Sequence, residues 1–252
     1  MVGSLLLRGM LVGLVAGLLA FGFARVFGEP QVEYAIAFEE HQAQAAGEAP
    51  EAELVSRSTQ AGVGLLAGIM LYGAAIGGLL ALTFAYVQGR ISSLGPRGTA
   101  ALIALAGFVA VILVPQLKYP ANPPAVGNPD TIQARTELFF IMLVLSVATA
   151  SAAVGLAKRL TTKHGIWNAW IAAGIAYVVV MGIAFYALPP INELPEQFSA
   201  AVLWNFRAAT LGIHAILWTA IGLLFGAVAE RKLVDQRDGR AGPTHSAART
   251  VR

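Results

Sequence analysis

The sequence predicts an all-α fold: a polytopic membrane helix bundle of about six transmembrane helices, with both termini in the cytoplasm. Composition is the first observation behind this. Of 252 residues, 57% are hydrophobic and only 12% are charged, about half the charge of an ordinary soluble domain, and the mean hydropathy is +0.67. The second is that the apolar residues gather into six runs of bilayer-spanning length, about 20 residues each, separated by polar or proline-bearing text. The third is charge placement. Twelve of the seventeen Lys and Arg fall at the N-terminus, in segments 88–98 and 158–164, and in the tail, whereas eleven of the fourteen carboxylates fall in or beside the other segments. Positive-inside bias then places the basic side in the cytoplasm of an inner-membrane, multi-pass protein.

The first span, 5–27, is interrupted only by Arg8 and Arg25, and Gly9, Gly13 and Gly17 recur every four residues. Such a stripe lets another helix approach closely and offers a route to a homo-oligomer. A cleaved signal peptide is the competing reading of a basic, apolar start, but a removed segment has no use for the stripe, so a retained helix is expected. Segment 28–60 is acidic, with Glu29, Glu33, Glu39, Glu40, Glu48, Glu51 and Glu53 against the single Arg57. A short surface helix is expected after Pro30, then a loop through Gly47 and Pro50. The second span, 61–87, carries glycine pairs Gly64/Gly68 and Gly73/Gly77. The third, 99–117, leads into segment 118–135, where Pro120, Pro123, Pro124, Gly127 and Pro129 rule out helix. The fourth and fifth spans are 136–157 and 166–187, the latter flanked by interface anchors Trp167 and Trp170. Segment 188–207 repeats the proline pattern, 208–229 is the sixth span, and 233–252 is a basic cytoplasmic tail expected to end in disorder. The domain is thus a single membrane unit, 1–232, with long loops 28–60, 118–135 and 188–207 facing outward.

Candidate chemistry concentrates on that outward side. Glu33, Glu39, Glu40 and His41 offer hard oxygens and an imidazole, a donor mixture suited to a divalent first-row metal. Glu33 and His41 stand about 12 Å apart along a helix, so they cannot share an ion unaided; a solvated face that concentrates cations is the simpler reading. His214 is the sharper metal candidate, because an ionisable group inside a span either lines a path or bonds a neighbouring helix. In the outer-mouth loop, Lys118, Tyr119, Pro120, Asn122, Pro123, Pro124 and Gly127 are expected to fold into a vestibule. Arg135, between Asp130 and Glu137, is expected to pin that loop as an ion pair. Lys118 argues against a metal cage there. Trp204, Asn205 and Arg207 form an expected interfacial cluster at the start of the sixth span. Met70, Met142 and Met181 read as packing.

Several functions are excluded or left without residues to carry them. Without cysteine there is no disulfide, zinc–thiolate or iron–sulfur site. The chain contains no Walker A loop, HExxH or GxSxG and no nucleic-acid motif, so an enzyme is not expected, nor is a permanently bound cofactor.

Three stretches, GEPQVEYAIAFEE, LKYPANPPAVGNPDTIQART and LWNFRAATLGIHAILW with the following GLLFG, together resemble the CbtA family of predicted cobalt transporter subunits, and the proline stretch is the most specific of them. The resemblance runs to about Lys232. It implies a membrane subunit that transports Co²⁺ for cobalamin synthesis, working with a small single-span, histidine-bearing partner, CbtB. It brings no ligand set, so Glu33, Glu40, His41 and His214 rest on their chemistry alone. A non-conducting scaffold subunit that docks a metal-handling partner is the alternative reading.

Overall fold

A computed structural model describes residues 2–47, 54–124, 126–127, 129–191 and 194–238. The loop expected through Pro50 and the end of the expected basic tail lie outside them. The described residues form eight α-helices and no strand: α1 Val2–Phe23, α2 Glu29–Ala46, α3 Arg57–Thr59, α4 Leu65–Val87, α5 Pro96–Gly107, α6 Val114–Lys118, α7 Ile132–Ala187 and α8 Ala200–Asp238. Three π-helical segments, Ala24–Gly28, Gln60–Gly64 and Phe108–Leu113, splice α1 to α2, α3 to α4 and α5 to α6. Among the described residues this leaves five continuous helices long and apolar enough to cross a membrane: Val2–Ala46, Arg57–Val87, Pro96–Lys118, Ile132–Ala187 and Ala200–Leu233.

The fourth of these is two helices in one. A straight 56-residue helix would measure about 84 Å, against a hydrocarbon core of about 30 Å. At Gly165 the backbone leaves helical geometry, with φ 77° and ψ 164°, a region that favours glycine because it has no Cβ. The chain doubles back there. Ser146 and Tyr177 share a hydrogen bond of 2.8 Å across the turn, and Met142, Met181 and Ala184 meet in one buried cluster. Each arm of the doubled helix is itself long enough for a crossing, which leaves room for the expected six spans within five long helices.

The chain divides into two compact units. The first comprises residues 1–18, 69–105 and 217–252, and the second 19–68 and 106–216. The core of the first is a glycine seam. A Cβ on Gly9 or Gly13 would land on the carbonyl oxygen of Gly77 or Gly73 respectively, and the converse substitutions would collide the same way. At Gly17 a Cβ would lie 3.0 Å from the Ile69 carbonyl oxygen. Backbone therefore meets backbone along α1 and α4, as the four-residue spacing requires. Gly68 has open space around its Cβ position and Gly64 only its own turn, so that pair contributes nothing to the seam. A second, shorter seam joins α8 to α5, where a Cβ on Gly222 would meet Ala104 and one on Gly226 would lie 3.0 Å from the Arg97 Cα. Phe84 packs edge-on against Phe225 at 5.3 Å between centroids, and Arg97 pairs with Glu230 at 2.6 Å.

The second unit holds all three long loops. The last eight residues of segment 188–207 are helix, because after Pro195 no proline or early glycine interrupts the register that opens at Ala200. The expected surface helix exists, but it is not a separate element. It continues α1 through the π-helical segment, takes Pro30 in its first turn, where the missing N–H costs nothing, and ends on Gly47 at φ 76°.

A candidate outer mouth

The prolines of segment 118–135 strip it of backbone donors, so side chains must hold it. Lys118 donates to the Phe185 carbonyl oxygen at 2.7 Å, placing an ammonium over the C-terminal turn of α7, whose open carbonyls and dipole favour a cation. Tyr119, 5% exposed, donates its hydroxyl to the Pro189 carbonyl oxygen at 2.9 Å. Burial pushes its phenol up from the ordinary value, which keeps the donor proton in place. Arg207 reaches over from α8, its Nε donating to the Ala121 carbonyl oxygen at 3.2 Å and its Nη2 to Asn122 Oδ1 at 2.9 Å. Pro123 is buried and Pro124 exposed. The Pro123 carbonyl oxygen accepts from the Val126 N–H at 3.4 Å, and Gly127 follows at φ 147°.

A cavity of about 30 Å³ opens inside this lacework, walled by Tyr119, Pro120, Asn122, Arg135, Ile191 and Arg207. Its volume suits a single water molecule or a small ion. Among the described residues its walls carry two guanidinium groups and no carboxylate, a poor cradle for a metal cation. Glu137 accepts from Gln133 Nε2 at 2.9 Å, one turn back along α7. Asp130 is exposed and Arg135 half-buried.

One face of α2 closes the second side of the mouth. Tyr34 and Phe38 stack edge-on against Phe198 at 6.1 and 5.2 Å, and Ala35, Val126 and Phe198 form a buried cluster. All three long loops thus contribute to one packed surface. Glu33, Glu40 and His41 lie on exposed positions of α2. His214 is half-buried on α8, beyond Gly212, whose Cβ position falls 2.7 Å from the Phe23 ring. Among the described residues no three His, Asp or Glu side chains converge to hold a metal, so the four metal candidates form no common centre. The expected cluster at the head of α8 also separates: Trp204 is 72% exposed and Asn205 exposed, while Arg207 turns inward to the loop.

Sequence reasoning passed over one polar contact. Glu29, 8% exposed, pairs with Arg57. The available signal was that Arg57 is the one base in an acidic segment, facing a carboxylate at the end of the preceding span.

The family model described as "Probable cobalt transporter subunit (CbtA)" matches residues 2–230. The chain belongs to the CbtA family. The match takes in every described helix except the last residues of α8, and with them the mouth, His214 and the Glu29–Arg57 pair. No curated protein and no solved structure matches the chain. As a CbtA member with five long apolar helices, it is a multi-pass membrane protein and one subunit of a cobalt transporter, and a subunit implies a partner.

Proposed function

We propose that this subunit mediates inward passage of Co²⁺, or a similar divalent ion, across the cytoplasmic membrane, and that the metal serves cobalamin synthesis. The observation that carries the reading is the family match over residues 2–230 on a chain whose helices are built to span. With no nucleotide-binding loop in the sequence, inward movement draws on the membrane potential, which gives a divalent ion about 4.6 kcal/mol per 100 mV. The long, acidic loops face outward and concentrate cations there, with Glu33, Glu40 and His41 as weak exposed collectors. His214 lines the path within the sixth pass. The protein binds no resident cofactor and performs no covalent chemistry. A small single-span, histidine-bearing CbtB-like subunit supplies the imidazoles in which this chain is poor.

The test is ⁵⁷Co²⁺ uptake into proteoliposomes, with a negative interior potential, by the chain alone and with the co-expressed partner. Potential-dependent uptake is expected with both present. No uptake in either case would leave the scaffold reading. Within an active system, His214→Ala should lower the rate at unchanged protein level; an unaltered rate removes His214 from the path.

A further inference from the structure

The Glu29–Arg57 ion pair is the buried charge that the proposed route has not used. Glu29 lies at the end of the first apolar run and Arg57 just before the second, and the pair joins them. Its two halves differ in access: the Glu29 side chain is 9% exposed and the Arg57 side chain 29%. The guanidinium therefore covers the carboxylate from the wetter side. Each partner also borders a π-helical segment, Ala24–Gly28 directly before Glu29 and Gln60–Gly64 directly after Thr59. Such wide turns recur at functional sites. The turn carrying Arg57 is held by its own polar residues: Ser56 Oγ lies 2.9 Å from Thr59 Oγ1, and Gln60 Nε2 donates to the Val55 carbonyl oxygen at 2.8 Å. α8 packs on the same stretch of the first helix, since a Cβ on Gly28 would lie 3.7 Å from Ile213 Cδ1. His214 is the next residue along.

We infer that Glu29 is a carboxylate ligand for the passing divalent cation and that Arg57 is its exchangeable occupant, displaced when metal arrives and restored when it leaves. This deepens the uptake reading and rests on it. A buried carboxylate is costly to leave uncompensated, so the guanidinium leaves most readily as another positive charge enters. A divalent ion compensates more fully than a monovalent one, which gives the step a charge preference. One carboxylate with water makes a weak site, and weakness suits a path from which the ion must also depart. Among the described residues no three-ligand cage competes with it.

The experiment measures Co²⁺ binding to the purified, detergent-solubilised full chain by calorimetry and by the visible absorption of Co²⁺, alongside ⁵⁷Co²⁺ uptake with the partner. Glu29→Gln should weaken binding at least about tenfold, and Arg57→Gln should tighten it by about tenfold, because the competing occupant is gone. The double variant E29Q/R57Q removes both charges, which buried pairs often tolerate; it should stay monodisperse yet neither bind nor transport. Wild-type affinity in Glu29→Gln, weaker binding in Arg57→Gln, or recovered binding in the double variant would each overturn the inference and leave the pair a structural tie. If Glu29→Gln does not fold, the other two variants still decide. Glu29-dependent binding without uptake by the wild type defeats the uptake reading alone, whereas full uptake by Glu29→Gln defeats this inference alone.

Discussion

At the scale of single residues, the mouth depends on a few side chains that answer for missing backbone donors. Arg207 is the most consequential. Its two hydrogen bonds to Ala121 and Asn122 are made by a charged donor, and such bonds contribute about 1.5–3 kcal/mol each when a partner is removed. Arg207→Ala is therefore expected to lower the thermal midpoint of the purified protein by several degrees. Arg207→Lys should recover only part of it, because an ammonium cannot reproduce the fork; full recovery by lysine would mean that charge alone matters. The non-helical course of this loop was legible from its prolines, but Lys118 reads in the sequence only as a charge unsuited to a metal cage, not as a donor to a distant carbonyl. What could not be read was the direction in which each cation points. Arg207 looked like one of three interfacial neighbours with Trp204 and Asn205, but Asn205, two residues away, points to the far side of the helix, Trp204 is 72% exposed, and only Arg207 bonds the loop.

At the scale of elements, glycine spacing carried the most information. The stripe Gly9, Gly13, Gly17 foretold a close helix contact, and α4 supplies it through Gly73 and Gly77. Gly64 and Gly68 have the same spacing without the contact, because spacing defines a face but not the neighbour opposite it. Gly13→Val should drive a side chain into the α4 backbone and destabilise the protein by about 1–3 kcal/mol or more. Gly68→Val, in open space, should change stability by less than about 0.5 kcal/mol. Thermal unfolding in one detergent compares the two, and equal losses would contradict the seam. Gly165 makes a different demand, since its φ of 77° disfavours any residue with a Cβ. Gly165→Ala is expected to cost about 1–2 kcal/mol, measured the same way; a neutral result would mean that the hairpin tolerates a regular turn there. The short basic loop 158–164 was expected to separate two spans, and the break does fall at its end. Helix nevertheless runs through the loop itself, because Lys, Arg, Leu and Thr offer nothing that halts a helix before the glycine.

For the molecule as a whole, an all-α membrane architecture was readable because hydropathy reports directly on the solvent a helix faces. The acidic helix was readable as a helix but not as a wall of the mouth. Its apolar residues Tyr34, Ala35 and Phe38 are too few to betray a partner, and that partner, Phe198, is more than 150 residues away in the chain. Orientation supports a direct check, since a chain without cysteine accepts single reporter thiols cleanly. Cysteine at Glu39 or Pro124 should react with a membrane-impermeant maleimide from outside intact cells, and cysteine at Lys163 only after permeabilisation. Reversed labelling would turn the proposed uptake direction around.

The seam between α1 and α4 has a mechanical consequence. Two helices whose main chains already touch have no side-chain cushion to compress and none to rotate past, so they behave as a stator. Whatever opening and closing a metal ion requires falls to helices with compliant side-chain packing between them, and not to the α1–α4 seam or the shorter α5–α8 seam.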